Sequence, residues 1–301
     1  MVFATDLRAP EGPLPLPDGS LLLVEGAAER GCVTHLSADA KTRRCVRKTG
    51  RPNGLALSAD GAIWVAESKT PSLLRLTLEG ECKVIATECH GDPFLFPNDL
   101  CFGPDGALYL TDSGVQIDNF APNNQIRKDY MDLDYDGRVY RVDPDTGETS
   151  LIDRGIAFTN GIAFGPDELL YVNETVTGNI YRYGWRNGMI DGTRELFGNV
   201  ISPDAPAGWK GPDGMAFDEN GLLYCAVFGQ GDITVLDRGG QVANRMKTAG
   251  MLPTNVAFGL PGGHRIFVTE YEHAQVEIFP VKCDGLPLWN GSKLVKHTVG
   301  L

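Results

Sequence analysis

The sequence predicts an all-β fold, a six-bladed β-propeller with four-stranded blades around a central channel. Three observations predict it. One phrase recurs six times, its copies start 42, 45, 62, 53 and 41 residues apart, and no long segment has helical periodicity. Repeats of that length, each able to form four strands, stack into propellers. The expectation is a single propeller domain over residues 1–301, with a lid-like insertion at about 113–136 and a second loop at about 202–211.

Each phrase starts with a polar residue and an apolar run. The copies begin at Glu11, Asn53, Asn98, Asn160, Asp213 and Thr254. A turn follows seven residues later in five copies, at Asp18, Asp60, Asp105, Asp167 and Asn220, and the sixth copy carries one extra residue. Asp, Asn and Gly reverse the chain readily, so each phrase reads as a hairpin. The second limbs, such as Ala62–Glu67, Ala107–Asp112 and Leu169–Glu174, are rich in β-branched and aromatic residues, as buried strands are. Third and fourth strands are expected from segments such as Ser72–Leu78, Gly137–Val142, Gly178–Tyr183 and Ala274–Phe279. The two long intervals hold the insertion at Ser113–Asp136 and the Pro/Gly/Trp loop at Ser202–Lys210, and long loops of this kind often bind ligands. A closed ring needs one more outer strand, which either Val2–Asp6 or Lys293–Val299 can supply.

Composition narrows the function classes. Hydrophobic residues make up 42% and charged residues 22% of the chain, ordinary values for a globular protein. A formal charge of −12 with no basic stripe argues against nucleic-acid binding. No apolar stretch approaches a membrane span, and no secretory signal is visible, so a cytoplasmic location is expected. The seven cysteines are odd in number and form no Cys-x-x-Cys, which fits a reducing compartment; Cys101 and Cys225 read as small core residues. The histidines lack ligand spacing, and no Gly-x-Ser-x-Gly elbow is present. His273 reads as a surface residue near the channel mouth. Asp132, Asp134 and Asp136 superficially resemble a calcium loop but lack its closing glutamate, so they read as a solvated turn.

The first residue of each phrase carries the functional signal. Equivalent positions on six blades fall at one height around the channel, so the repeat gathers these side chains into a ring. Two carboxylates and three carboxamides form an oxygen-rich cluster suited to a hard divalent cation, calcium above all. Turn-capping accounts for asparagine but not for Glu11 and Asp213, whose facing charges are costly without a cation. Asn53 and Thr254 read as turn residues lying too far or too high to ligate.

Glu11-Gly-Pro, Phe96-Pro-Asn98-Asp99, Thr159-Asn160-Gly161 and Gly211-Pro-Asp213-Gly-Met215 together resemble the SMP-30/gluconolactonase/LRE-like family, in order and register, from about residue 8 to 275. That resemblance implies a propeller with one divalent metal (calcium, or else zinc, manganese, magnesium or iron) and hydrolysis of a sugar lactone to its hydroxy acid. It implies Glu11, Asn160 and Asp213 as metal ligands, Asp213 also as catalytic base, and Asn98 and Asp99 as substrate-binding or supporting residues. The expected partner is a small-molecule lactone, and the expected state is a monomer or small homo-oligomer. Phe96 stands where many family members that open aldonolactones carry arginine, which leaves the sugar preference open. Phe120, Tyr130 and Trp209 are candidate lid residues. Two rivals follow from the same residues: an aryl-ester or organophosphate hydrolase, or a non-enzymatic metal-binding propeller that presents loops to a protein.

Overall fold

A computed structural model describes residues 1–122, 125–186 and 189–291. It contains six four-stranded antiparallel sheets arranged as propeller blades. The blades start at the inner strands Pro10–Pro15, Pro52–Leu57, Pro97–Phe102, Thr159–Phe164, Gly211–Phe217 and Pro253–Phe258. Each inner strand packs against the next, and the sixth returns to the first. Every inner strand shifts register close to the ring residue, as between Glu11 and Leu14 or Pro212 and Met215. Such irregularities bend a strand and re-aim its side chains.

The turns form as their sequence requires. The carboxylates of Asp18, Asp60, Asp105 and Asp167 accept the backbone N–H two residues on, at 2.9, 3.2, 3.1 and 3.2 Å. In the fifth blade Asp218 takes this role, donated to by Asn220 and Leu222, in place of the expected Asn220. The second strands are buried along their whole length in blades one to four, because they lie sandwiched inside the ring. Apolar clusters sit between neighbouring blades. One joins Leu14, Val24 and Val33 to Leu55, Ile63 and Val65, and another joins Leu21 and Leu23 to Phe267 and Val276 across the closure.

The ring is closed by its N-terminus. Val2–Ala4 adds as the outer strand of the last blade, pairing Val2 with Glu277 and Ala4 with Val276. Phe3 meets Phe267 edge-on at 5.2 Å, and Leu7 is fully buried. The alternative segment, Lys293–Val299, lies outside the described residues.

The acid that ends the second strand in every blade but the fifth proves to be a structural clamp. Glu25, Glu67, Asp112, Glu174 and Glu270 accept backbone N–H groups of the residues that lead into the inner strands: Arg8, Arg51, Leu95 and Phe96, Ala157, and Leu252. Buried amides need such partners. The acids therefore fix the loops that deliver the ring residues to the channel.

The residue after each ring position is glycine in four blades: Gly12, Gly54, Gly161 and Gly214. Close approach of the next inner strand requires this. A Cβ on Gly54 would stand 2.5 Å from Asp99 Oδ1 and 2.7 Å from Asp99 Cα, and one on Gly214 would collide with the Asn255 amide. Gly54→Ala is accordingly expected to cost about 1–3 kcal/mol or more, the usual scale of overpacking in a tight core. Thermal denaturation checks this.

Candidate functional site

One cavity of about 660 Å³ opens at the channel mouth, and Glu11, Asn98, Asn160 and Asp213 all line it. Four blades thus bring four oxygen-bearing side chains to one space. Neighbouring residues hold them in place. Asn160 Nδ2 donates to Thr175 Oγ1 at 3.2 Å, and Thr175 Oγ1 donates to the Pro212 carbonyl at 2.8 Å. Asn98 Nδ2 donates to Ser113 Oγ at 2.9 Å, and Ser113 Oγ donates to the Thr159 carbonyl at 2.9 Å. Ser113 and Thr175 occupy the same place in their repeats, the residue after the clamping acid.

Asn53 and Thr254 differ from expectation. Both line the same cavity rather than sitting apart from it. Neither caps a turn. Asn53 Nδ2 donates to Asn98 Oδ1 at 2.8 Å, and Thr254 Oγ1 donates to the Pro10 carbonyl at 2.8 Å. They brace the ring from blade to blade.

Asp99, expected to bind or support the substrate, is not among the residues that line the cavity. It sits one residue deeper on its strand, 8% exposed, with Oδ1 accepting the Leu100 N–H at 2.9 Å. Asn255 was missed by sequence reasoning. Its side chain lies beside the carboxyls of both Glu11 and Asp99 and lowers the proton affinity of each. A signal existed: Asp99 and Asn255 are the two copies in which the glycine after the ring residue is replaced.

The electrostatics of the floor are those of crowded acids. Burial, then Asp213, then Asp99 push the Glu11 carboxyl well above the usual range. Burial raises Asp213 well above its range, a hydrogen bond from Asn160 opposes this, and Asp99 adds to it. Burial lifts Asp99 to about 7. Among the described residues, no group of three or more His, Cys, Asp and Glu side chains is arranged to hold a metal. The ring differs in kind, since carboxamides supply half of its donors. Two enclosed carboxylates, two carboxamides and no paired lysine or arginine among the described residues fit a hard oxygen-seeking cation.

The wall above the floor is aromatic. Phe120 lies 4.7 Å from Phe158 and 4.8 Å from Trp209, and Phe158 lies 5.1 Å from Trp209, between ring centroids. Phe96 is buried against Phe158 at 5.8 Å. Of the candidate lid residues, Phe120 and Trp209 line the cavity, whereas Tyr130 backs Trp209 at 5.1 Å without lining it. Phe158 was not anticipated. It holds a left-handed backbone at φ 65°, which orients its ring into the cluster at a cost in strain. The insertion contributes Ile117–Phe120 to this wall, and the second loop contributes Trp209.

Other candidates do not join the site. Asp136 pairs with Arg138 at 3.0 Å and with Arg154, so the Asp132–Asp136 run forms no ion cradle. His273 is exposed and lies outside the cavity lining. Cys225 is fully buried as expected, whereas Cys101 is only partly buried. No described helix is long and apolar enough to cross a membrane.

The SMP-30/Gluconolactonase/LRE-like region matches residues 9–272. The chain belongs to this family. A pentonolactonase of Haloferax volcanii is 33% identical over 271 residues, covering 89% of this chain and 83% of the relative. A gluconolactonase of Zymomonas mobilis is 29% identical over 246 residues, covering 76% of this chain and 67% of the relative. Plant strictosidine synthase-like proteins also match, and the chain spans about half of their length. Among solved structures, a gluconolactonase of Xanthomonas campestris superposes with a TM-score of 0.77 at 24% identity, covering 93% of this chain and 89% of that one. Regucalcin of Agrobacterium tumefaciens, described as calcium-binding, superposes at 0.72 with 19% identity over 95% and 96% of the two chains. At these identities the superpositions establish the fold.

Proposed function

We propose that the protein is a metal-dependent lactonase that opens a sugar lactone to its hydroxy acid. The observation that carries this reading is the meeting of Glu11, Asn98, Asn160 and Asp213 on one cavity. The gluconolactonase and pentonolactonase relatives support lactone hydrolysis as the reaction.

Glu11, Asn160 and Asp213 would hold the ion. Calcium suits this all-oxygen set, and magnesium, manganese, zinc and iron are the alternatives to be tested. When bound, a divalent cation supplies Lewis-acid polarisation of the lactone carbonyl and offsets the charge that grows there. Asp213 acts as general base, taking a proton from the attacking water on a carboxylate oxygen. The proton is then returned to the ring oxygen as the acyl–oxygen bond breaks. Asn98 orients the water or the lactone, since its amide is held from both sides by Asn53 and Ser113. Asp99 and Asn255 support Glu11 from below. The aromatic wall excludes water from one side of the bound ring.

A lactone screen across ring size and hydroxylation, repeated with calcium, magnesium, manganese, zinc and iron, tests the reading. Turnover that needs a divalent ion supports it, and no turnover with any pair refutes it. Trp209→Ala is expected to raise KM several-fold with a smaller change in kcat, because it removes one face of the pocket; steady-state kinetics check this.

The buried Phe96 and its aromatic neighbours favour a second reading, hydrolysis of aryl esters or organophosphates at the same site. Comparing kcat/KM for an aldonolactone and an aryl ester separates the two.

A further inference from the structure

Besides its acidic floor, the cavity carries a cation that the reaction above does not use. Arg51 lines the cavity in the loop that enters the second blade. Its backbone is pinned. The N–H donates to Glu67 Oε1 at 2.7 Å, and the carbonyl accepts from Ser68 Oγ at 2.9 Å and Ser68 N at 3.0 Å. Its guanidinium is not satisfied in the same way. Nε is buried with no hydrogen-bond partner among the described residues. Burial holds its pKa below the usual arginine range, and the carboxylates of Glu67, Asp118 and Glu11 act on it through their charges without hydrogen-bonding it. Glu67 takes the Arg51 and Lys69 backbone N–H groups through Oε1, and its Oε2 is buried without a hydrogen bond to the guanidinium.

Enclosing a guanidinium without an acceptor is costly. Retaining it in a binding cavity is explained when the ligand brings the acceptor. Arginine is a planar fork whose natural partner is a carboxylate, engaged by two parallel N–H donors. A neutral sugar ring needs only hydroxyl partners and leaves the charge unmatched. The floor repels anions until a cation is bound, so a carboxylate on the ligand is best placed at the Arg51 end.

We propose that Arg51 is a specificity-determining residue that receives a carboxylate carried by the substrate, which makes the preferred substrate an acidic lactone, such as the monolactone of a sugar diacid. This rests on the lactonase reading above. The test compares glucarolactone with the neutral gluconolactone on the metal-loaded wild type, Arg51→Gln and Arg51→Lys. The expected result is that wild type prefers the acidic lactone. Arg51→Gln should lower the ratio of kcat/KM for acidic over neutral lactone about tenfold to a hundredfold, the scale of a charged hydrogen-bonded pair, mostly through KM. Arg51→Lys should restore part of it. Equal losses on both lactones, or a lowered melting temperature with an unchanged ratio, overturn the proposal and assign Arg51 a structural role. If no lactone is opened, the catalytic reading falls separately. Calorimetric titration with the open-chain diacid then decides Arg51, since Arg51→Gln must weaken that binding and an unchanged affinity overturns the proposal.

Discussion

Asp213→Asn is expected to lower kcat/KM for lactone opening by about 10²–10⁴-fold, the range that a positioned general base contributes. The substitution keeps the size of the side chain and one acceptor oxygen, and Asn160 can still hydrogen-bond it, so the blade should fold normally. It removes the charge that accepts the proton. It also removes one of two carboxylates from the proposed ion site, so the metal should bind more weakly. A pH-stat assay across a metal titration separates these effects. Activity that returns at high metal means Asp213 acts as a ligand alone, and wild-type turnover at any metal level sinks the base assignment. Glu11→Gln serves as the companion, because it loses the other charge without touching the base. Its deficit should recover with added metal.

The second large effect is on stability. In the metal-free protein the carboxyls of Glu11, Asp99 and Asp213 are all raised in the folded state, Asp99 to about 7 against an ordinary 3.8. The folded chain therefore holds more protons than the unfolded chain between those values, and stability falls as pH rises. The melting temperature of metal-free protein is expected to drop from about pH 4 through pH 7 as these groups ionise against one another. A divalent cation should reverse the trend, because it favours the charged forms and binds only the folded ring. At a hundredfold excess over its dissociation constant it adds about 2.7 kcal/mol. Thermal scans at several pH values, with chelator and with calcium, give the comparison. A metal-free protein whose stability rises over that pH range would contradict the crowded-acid description of the floor.

The repeat made much of this architecture legible in the sequence. A phrase with a fixed seven-residue spacing reports strand, turn and strand at once, and six copies report the ring. The first position of the phrase also located six polar side chains that line the cavity, because blade symmetry places equivalent residues at equal height. What the repeat could not report were contacts made between blades. Asn53 and Thr254 were read within their own copies, yet each spends its hydrogen bonds on a neighbouring blade. Asn255 reaches two acids from distant copies, which only closure of the ring brings near. Arg51 and Phe158 belong to loops outside the repeating phrase, so periodicity is blind to them. The closing strand was ambiguous for a related reason. By pattern either end could complete the last sheet, and the backbone pairing of Val2 with Glu277 and Ala4 with Val276 is not marked by any periodicity.

The N-terminal clasp also orders events in time. Glu11 lies on the first blade, which meets the last through the inner strands Pro10–Pro15 and Pro253–Phe258, beside the sheet that Val2–Ala4 completes by pairing with Gln275–Pro280. During synthesis the residues through Asn160 emerge with their partners still unmade, and the oxygen cluster stays open on one side. The proposed ion pocket would then be completed only when the last blade meets the first, by contacts spanning nearly the whole described chain, the kind of distant pairing that is slow to form. A nascent or N-terminally clipped chain should then be unable to retain the ion even with most blades formed, so that cofactor capture doubles as a report that the circle is complete.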